Sequence, residues 1–482
     1  MRRIYGSRKK LIAISTISFF ICLTAWTFSA PISSAPDSDF HMSSIWCAWG
    51  VKPGICENPT TTSTGNYVNV PFFVQICDNV PITSSNCEPT NTYPQMQTLR
   101  TSDSSAKNFY YVLMRVFAGQ NVALSIIAIR LLSCFLATLL LFGLLSLVRG
   151  RLLIGSICSL VFVLVPNALV LIPMATSKSW ALIGSLFGWA FLATSLDQGR
   201  EFRERTYSSI LFGLCFLLVA STRIDATIFL LFSSLLIVYR KIGVRSIFKN
   251  SKRVLVSMIL ISILILAIRF SRVNSYIFSL KLENKGSMLD SFVFYLNQVV
   301  ESLASCFGYS VPQSGAGPGI TGIIGVGLAS LVVGSSLQNQ RRDQLTQIIL
   351  VILFLILIVY YGNITMGPRV PGTYILSIAS LLIGLSVSNA DRGPSLLFST
   401  PSRVFIFTIF SINHWVVLRG RTFGNASADS SQIKLYMPWI QSQISSWSIV
   451  AFGSTCLVLF LVSAFKVIDF DVSAKTTWSQ TC

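Results

Sequence analysis

The sequence predicts an all-α polytopic membrane protein with about 12 transmembrane helices, within a range of about 10 to 13. Three observations carry this. Of the 482 residues, 52% are hydrophobic and 11% are charged, where a soluble domain carries about 25% charge. Mean hydropathy is +0.66. Apolar runs close to the ~20 residues that cross a bilayer as a helix recur along the chain, separated by polar loops.

The first run extends from Leu11 to about Ala30, behind Arg2, Arg3, Arg8, Lys9 and Lys10. Ser29-Ala30-Pro31 has the small residues of a signal-peptide cleavage site. The run exceeds the ~7–15 residues of a signal-peptide core, so it reads as an uncleaved first span. Further spans are expected near 122–148, 152–172, 179–196, 207–222, 224–239, 253–270, 319–337, 344–361, 373–389, 402–418 and 448–467. The pair 207–222 and 224–239 is joined by a very tight turn.

The net charge is +19. In a soluble protein such a charge suggests nucleic acid. Here most of the basic residues crowd into short loops on one side of the predicted spans: Arg149 and Arg151, Arg200 to Arg205, Arg240 to Arg253, Arg341 and Arg342. Short basic loops stay in the cytoplasm. The expectation is a multi-pass plasma-membrane protein with both termini cytoplasmic, membrane lipids around it and no nucleic-acid partner. Residues 1–482 read as a single integral membrane domain. Its large outer loops are 31–107, 271–318 and 419–447. Two amphipathic stretches, Lys107 to Ala118 and Ser291 to Gly308, are expected to lie along the membrane surface as interfacial helices.

The chain has 11 cysteines. Cys22, Cys134, Cys158, Cys215 and Cys456 lie in apolar runs and read as small core residues. Cys47, Cys56, Cys77 and Cys87 share the first outer loop. Four cysteines in an exported loop imply two disulfides, with three connectivities open. The local pairs Cys47–Cys56 and Cys77–Cys87 are the expectation. A zinc site is the rival, disfavoured because the loop lacks CxxC spacing.

Candidate chemistry begins with Pro36-Asp37-Ser38-Asp39-Phe40-His41, just past the first span. Asp37 and Asp39 face the same way in an extended segment. Such a pair can ligate a divalent cation, Mg or Mn, through oxygen. One carboxylate alone can act as a general base on a sugar hydroxyl. His41 can orient a carboxylate or bind a phosphate. The alternative is plainer: Asp37 caps a helix starting near Ser38, and His41 packs at the interface. Arg223 and Asp225 flank the tight turn at the outer face, as an ion pair or as part of a site. Arg369, in Gly367-Pro368-Arg369, is suited to bidentate phosphate binding or to snorkelling. Lys178 can bind the same phosphate or mark a span end. His414, beside Trp415, reads as a packed residue. Arg130, inside an apolar run, is the charge that a transporter would use near mid-membrane. No Walker motif, GxGxxG loop, HExxH or GxSxG is present, which disfavours ATP hydrolysis and soluble-type hydrolase chemistry.

The stretch SAPDSDFHMSSIWCAWG resembles the first outer loop of an actinobacterial multi-pass family catalogued as domain of unknown function 2142. That family carries a Pro-Asp-Glu-x-x-His-like run. Here Pro36, Asp37 and His41 match, with Ser38 in place of Glu. Asn108-Phe109-Tyr110-Tyr111 is similar to its Pro-Pro-Leu-Tyr-Tyr segment. Ser221-Thr222-Arg223-Ile224-Asp225 is similar to its Ser-Arg-x-Asp turn, Cys306-Phe307-Gly308-Tyr309 to its Phe-Gly-Trp segment, and Gly367-Pro368-Arg369 to its Pro-Arg-Tyr motif. The family layout resembles the GT-C membrane glycosyltransferases. That likeness implies a polyprenyl-phosphate sugar donor, an envelope glycan or lipid acceptor, and an acidic catalytic residue in the first outer loop. A transporter or flippase of an envelope lipid or glycan, and a non-catalytic envelope assembly protein, are the rival functions.

Overall fold

The fold follows from one demand. Backbone polar groups in an apolar setting must be satisfied within their own segment, and helices do this. The computed structural model describes residues 2–30, 38–62, 65–71, 97–101, 109–164, 168–222, 224–242, 376–389, most of 403–418, and 446–479. Helix α1 is Arg2–Ser29 and α2 is Ser38–Trp46. Strands β1 (Glu57–Thr62), β2 (Gly65–Val70) and β3 (Gln97–Thr101) follow. Next come α3 (Phe109–Met114), with a 3-10 turn at Arg115–Phe117, α4 (Val122–Leu147), α5 (Gly150–Val163) and α6 (Leu169–Leu171). The remaining helices are α7 (Ser177–Ser195), α8 (Phe202–Ala220), α9 (Ile224–Ile242), α10 (Leu376–Asn389) and α11 (Ser446–Ser479). A further helical segment lies within 403–418.

Three described helices are long and apolar enough to cross a membrane by themselves: Ser7–Ser29, Val122–Leu147 and Trp447–Asp471. The expected spans 179–196, 207–222 and 224–239 also fall on helix, as do the described residues of 373–389 and 402–418. Residues 152–172 fall on α5 and α6, with 165–167 outside the described residues. The runs 253–270, 319–337 and 344–361 lie outside them, as do the loop 271–318 and the second expected interfacial helix.

Helices α1 and α11 pack antiparallel along their length. Arg8 pairs with Asp471 at 3.0 Å, Ser15 donates to Ser463 at 2.7 Å, and the Phe19 and Phe460 rings meet at 5.1 Å. The start of α1 and the Asp471 region of α11 therefore lie at one end of the bundle, called the terminal end. Helix α4 also runs antiparallel to α1. Its start meets the end of α1 through Arg130 and Thr27, and its last turn meets Arg8, which donates to Leu145 O at 2.9 Å. Gly150 then reverses the chain into α5 with φ +62°, which glycine adopts without strain.

Helix α7 is the centre. Nearly every side chain from Ser177 to Thr194 is buried, the mark of a helix enclosed on all sides. Small residues let its neighbours approach. A Cβ on Gly184 would sit 2.5 Å from the backbone oxygen of Cys215 in α8. His414, in the 403–418 segment, is fully buried; its Nε2 accepts from Trp26 Nε1 at 3.1 Å. It is a packed residue, as the sequence suggests.

The terminal end carries the ion pairs. Arg403 is bidentate to Asp469 at 2.7 and 2.8 Å. Arg149 meets Glu204 at 3.3 Å, and Arg200 bridges Asp197 and Glu204 at 3.6 Å each.

The all-α expectation is corrected at the other end. There the first loop builds a three-stranded antiparallel sheet in the order β1-β2-β3. Thr60 to Thr62, Tyr67, Val68 and Val70 are β-formers hidden in a loop whose composition is polar. Val68, Val70 and Leu99 point inward and are buried, while Asn69 pairs with Thr98 across the strands at 2.8 Å.

A test of this packing is Gly184→Val. The added side chain meets backbone rather than a movable side chain, so about 2 kcal/mol of stability is lost. A lower Tm in detergent, relative to wild type, is the expected reading.

Candidate functional site

The end opposite the terminal end carries a roof made by α2, the sheet and α3. Helix α2 begins at Ser38, where the sequence places a helix start. Its side chains from His41 to Trp46 are all buried. A helix this short is stable only when it is packed. Trp46 Nε1 donates to Gly119 O at 3.2 Å, which ties α2 to the lead-in of α4. Asn121 caps α4 by accepting from the Leu124 amide at 3.1 Å.

Within the roof, His41 Nδ1 and Tyr111 Oη lie 2.7 Å apart. Both are buried. Phe40 stands edge-on to His41 at 5.5 Å and to Tyr111 at 6.5 Å. Tyr110 is edge-on to Tyr111 at 5.7 Å and to Trp180 of α7 at 5.2 Å. Trp180 Nε1 donates to Ser133 of α4 at 3.2 Å. One turn away on α4, Arg130 is 1% exposed. Its Nη1 donates to Thr27 O at 3.1 Å and to Ala30 O. The chain thus runs from α2 through two tyrosines and a tryptophan to a buried guanidinium at the end of α1.

Burial raises the Tyr110 phenol well above its ordinary value, and neighbouring Tyr111 adds to this while Arg130 opposes it. Tyr110 therefore stays a neutral hydroxyl. Arg115 donates to Ala118 O at 2.6 Å and lies 5.5 Å from the Trp49 ring. Burial lowers its pKa. The interfacial helix expected at 107–118 is the short α3 with its 3-10 turn. It turns Tyr110, Tyr111, Met114 and Arg115 inward and leaves Phe109, Leu113, Val116 and Phe117 exposed.

The expected site residues fall as follows. His41 is in the roof. Asp39 lies on α2, with its carboxylate outside the described residues, and Asp37 lies outside them, one position ahead of α2. Lys178 sits in the first turn of α7, two residues from Trp180. Asp225 is in the first turn of α9, with its side chain outside the described residues, and Arg223 and Arg369 lie outside them. Cys47 and Cys56 form a disulfide, while Cys77 and Cys87 lie outside the described residues. The other described cysteines are buried thiols. Among the described residues no three His, Cys, Asp or Glu side chains gather to hold a metal. Tyr111, Tyr110, Trp180 and Arg115 were not among the expected site residues. Arg130 was weighed only as a mid-membrane charge, but it lies level with the last turn of α1.

Long apolar helices with a folded roof over one end define a helical membrane protein. More particularly, the chain belongs to the family described as predicted membrane protein (DUF2142), which matches residues 20–382. Searches of curated proteins and of solved structures each found no significant match.

Tyr111→Phe tests the roof. It removes a buried hydrogen bond at His41 and costs about 1–2 kcal/mol. A matching fall in Tm is expected, without loss of the Cys47–Cys56 disulfide.

Proposed function

We propose that this protein is a cell-envelope glycosyltransferase of GT-C type, acting on the outer face of the plasma membrane. The donor is a polyprenyl-phosphate-linked sugar, and the acceptor is an envelope glycan or lipid. The observation that carries this reading is the His41–Tyr111 hydrogen bond. It fastens α2, the helix entered directly from Asp37, to the roof over the ends of α4 and α7. A reacting group held at a lipid–water boundary by two packed helices can meet a donor whose tail stays in the bilayer.

In this scheme Asp37 is the general base. Its carboxylate takes the proton of the acceptor hydroxyl. The hydroxyl oxygen then bonds to the sugar's anomeric carbon as the bond from that carbon to the phosphate oxygen breaks. Polyprenyl phosphate leaves with the electron pair. Arg369, Arg223 with Asp225, and Lys178 bind the phosphate. His41 positions the acid or the phosphate. A divalent cation, if bound, would be held by Asp37 and Asp39 and would neutralise phosphate charge.

The orientation rests on charge. The start of α1 and the Asp471 region of α11 share the end that carries the ion pairs and the basic segments near Arg2, Arg149 and Arg200, and such an end faces the cytoplasm. The roof then faces out. The position of Arg130 also weighs against a transporter, which would hold its charge at mid-membrane.

The test is an envelope-glycan comparison of a deletion strain complemented with wild type or Asp37→Asn at equal membrane levels. The expected result is loss of one glycan, restored by wild type alone. Full restoration by Asp37→Asn overturns the role of Asp37 and favours the transporter or the assembly protein.

A further inference from the structure

We propose that the Cys47–Cys56 loop docks on lipid: it sets Trp49 and Val51 into the outer leaflet beside the apolar face of α3. The inference rests on the outward orientation of the roof and not on the transferase reading.

The loop is built to turn two side chains out. The disulfide closes it, Lys52 and Cys56 pair across its neck, and the Gly50 amide donates to Cys47 O at 2.9 Å. Gly50 has φ +94°, a left-handed turn that glycine makes without strain. Ala48, Ile55 and Cys56 are buried, whereas Trp49 is 59% and Val51 61% exposed. Trp49 Nε1 donates to Val112 O of α3 at 3.0 Å. The polar atom of the indole is thus satisfied within the protein. The ring can enter an apolar medium without leaving an unpaired donor.

The loop does not stand alone. Helix α3 and its 3-10 turn leave Phe109, Leu113, Val116 and Phe117 exposed. Their spacing of i, i+4, i+7 and i+8 makes one helical face. Trp49 joins this segment through Val112, and its ring lies 5.5 Å from the Arg115 guanidinium. On the other arm of the loop, Gly54 sits beside the lead-in of α4: a Cβ there would meet the Gln120 side chain at 3.4 Å. Loop, α3 and the start of α4 therefore share one level. Large apolar side chains exposed together in this way mark a contact surface.

The bilayer is the cover that fits. Leu124, Phe135, Leu139 and Phe142 are exposed on α4, a helix long and apolar enough to cross a membrane. At 3.6 residues per turn they share one side of it, the side that meets lipid. Leu124 is in the first turn, so this lipid-facing side reaches the level of the loop. The charges agree. Lys52 is exposed directly after Val51, and Arg115 lies under Trp49. Tryptophan with basic residues at an apolar boundary is the composition of a membrane interface, where cations reach the headgroup phosphates.

The test places the photo-crosslinking residue p-benzoylphenylalanine, one position at a time, in full-length protein in native membranes. The positions are those of Trp49, Val51 and Val116, with Phe135 of α4 as the lipid reference and Thr61, exposed on β1, as the water reference. Intact mass after photolysis and purification reports lipid adducts, and gel shifts report protein adducts. Lipid adducts at 49, 51 and 116 are expected to approach the level at 135, with position 61 lower by about tenfold. With Cys47→Ser and Cys56→Ser combined, the lipid adduct at 49 is expected to fall several-fold while that at 116 holds, because the loop is no longer closed. If that double variant does not accumulate, the comparison of 49 and 51 with 61 carries the test by itself. Lipid adducts at 116 without any at 49 and 51 confine the contact to α3 and overturn the proposal. Protein adducts at 49 or 51 in place of lipid also overturn it, since they would show a partner or a second copy on this face.

Discussion

Helices α1 and α4 hold each other by exchanging arginines. Arg8 of α1 donates to Leu145 O in the last turn of α4. At the opposite end, Arg130 of α4 donates to Thr27 and Ala30 in the last turn of α1. Each cation meets the carbonyl end of the other helix, where the dipole favours positive charge. In an apolar setting this is more than local decoration. It satisfies groups that neither helix can satisfy alone, and it fixes the two helices antiparallel and in register. Helix α11 then lays its length against α1, and the central α7 meets α4 through Trp180 and Ser133.

The two ends of the bundle differ in kind. The terminal end is stitched by charge pairs, several of them partly exposed, of the sort that water and salt weaken. The roofed end is stitched by aromatic edges and by hydrogen bonds between neutral groups, with Arg130 beneath. Neutral hydrogen-bonding groups can be buried without the desolvation cost of an unpaired ion, provided they are bonded. The roofed end can thus exclude water while keeping polar side chains.

Much of the bundle was legible in the sequence, because hydropathy reports burial in lipid directly. The spans at 11–30, 122–148 and 448–467 lie on long helices, and a turn at Ser221 and Thr222 ends α8 close to where the tight turn is expected. The sheet was not legible. Its strands are rich in Thr and Asn and short in apolar alternation, and their partners are set by pairing across the loop rather than by local pattern. Arg130 was visible as a charge in an apolar run, but its depth depends on where α4 sits against α1, which no single segment encodes. Tyr111 was visible only as part of a family-like motif. Its bond to His41 spans a sequence separation of 70, and only the packing of α3 on α2 brings the two together.

The burial of polar side chains in the roof separates it from a displayed loop. A partner-binding loop in an assembly protein would gain by presenting its polar groups outward. Here His41, the polar side chain nearest the run that is described, turns inward and is buried against Tyr111. Lys178, in the first turn of α7, stands where a cation opposes the helix dipole and is close in sequence to Trp180, which braces Tyr110. An imidazole held by Tyr111 and a cation in the first turn of α7 thus share one end of the bundle.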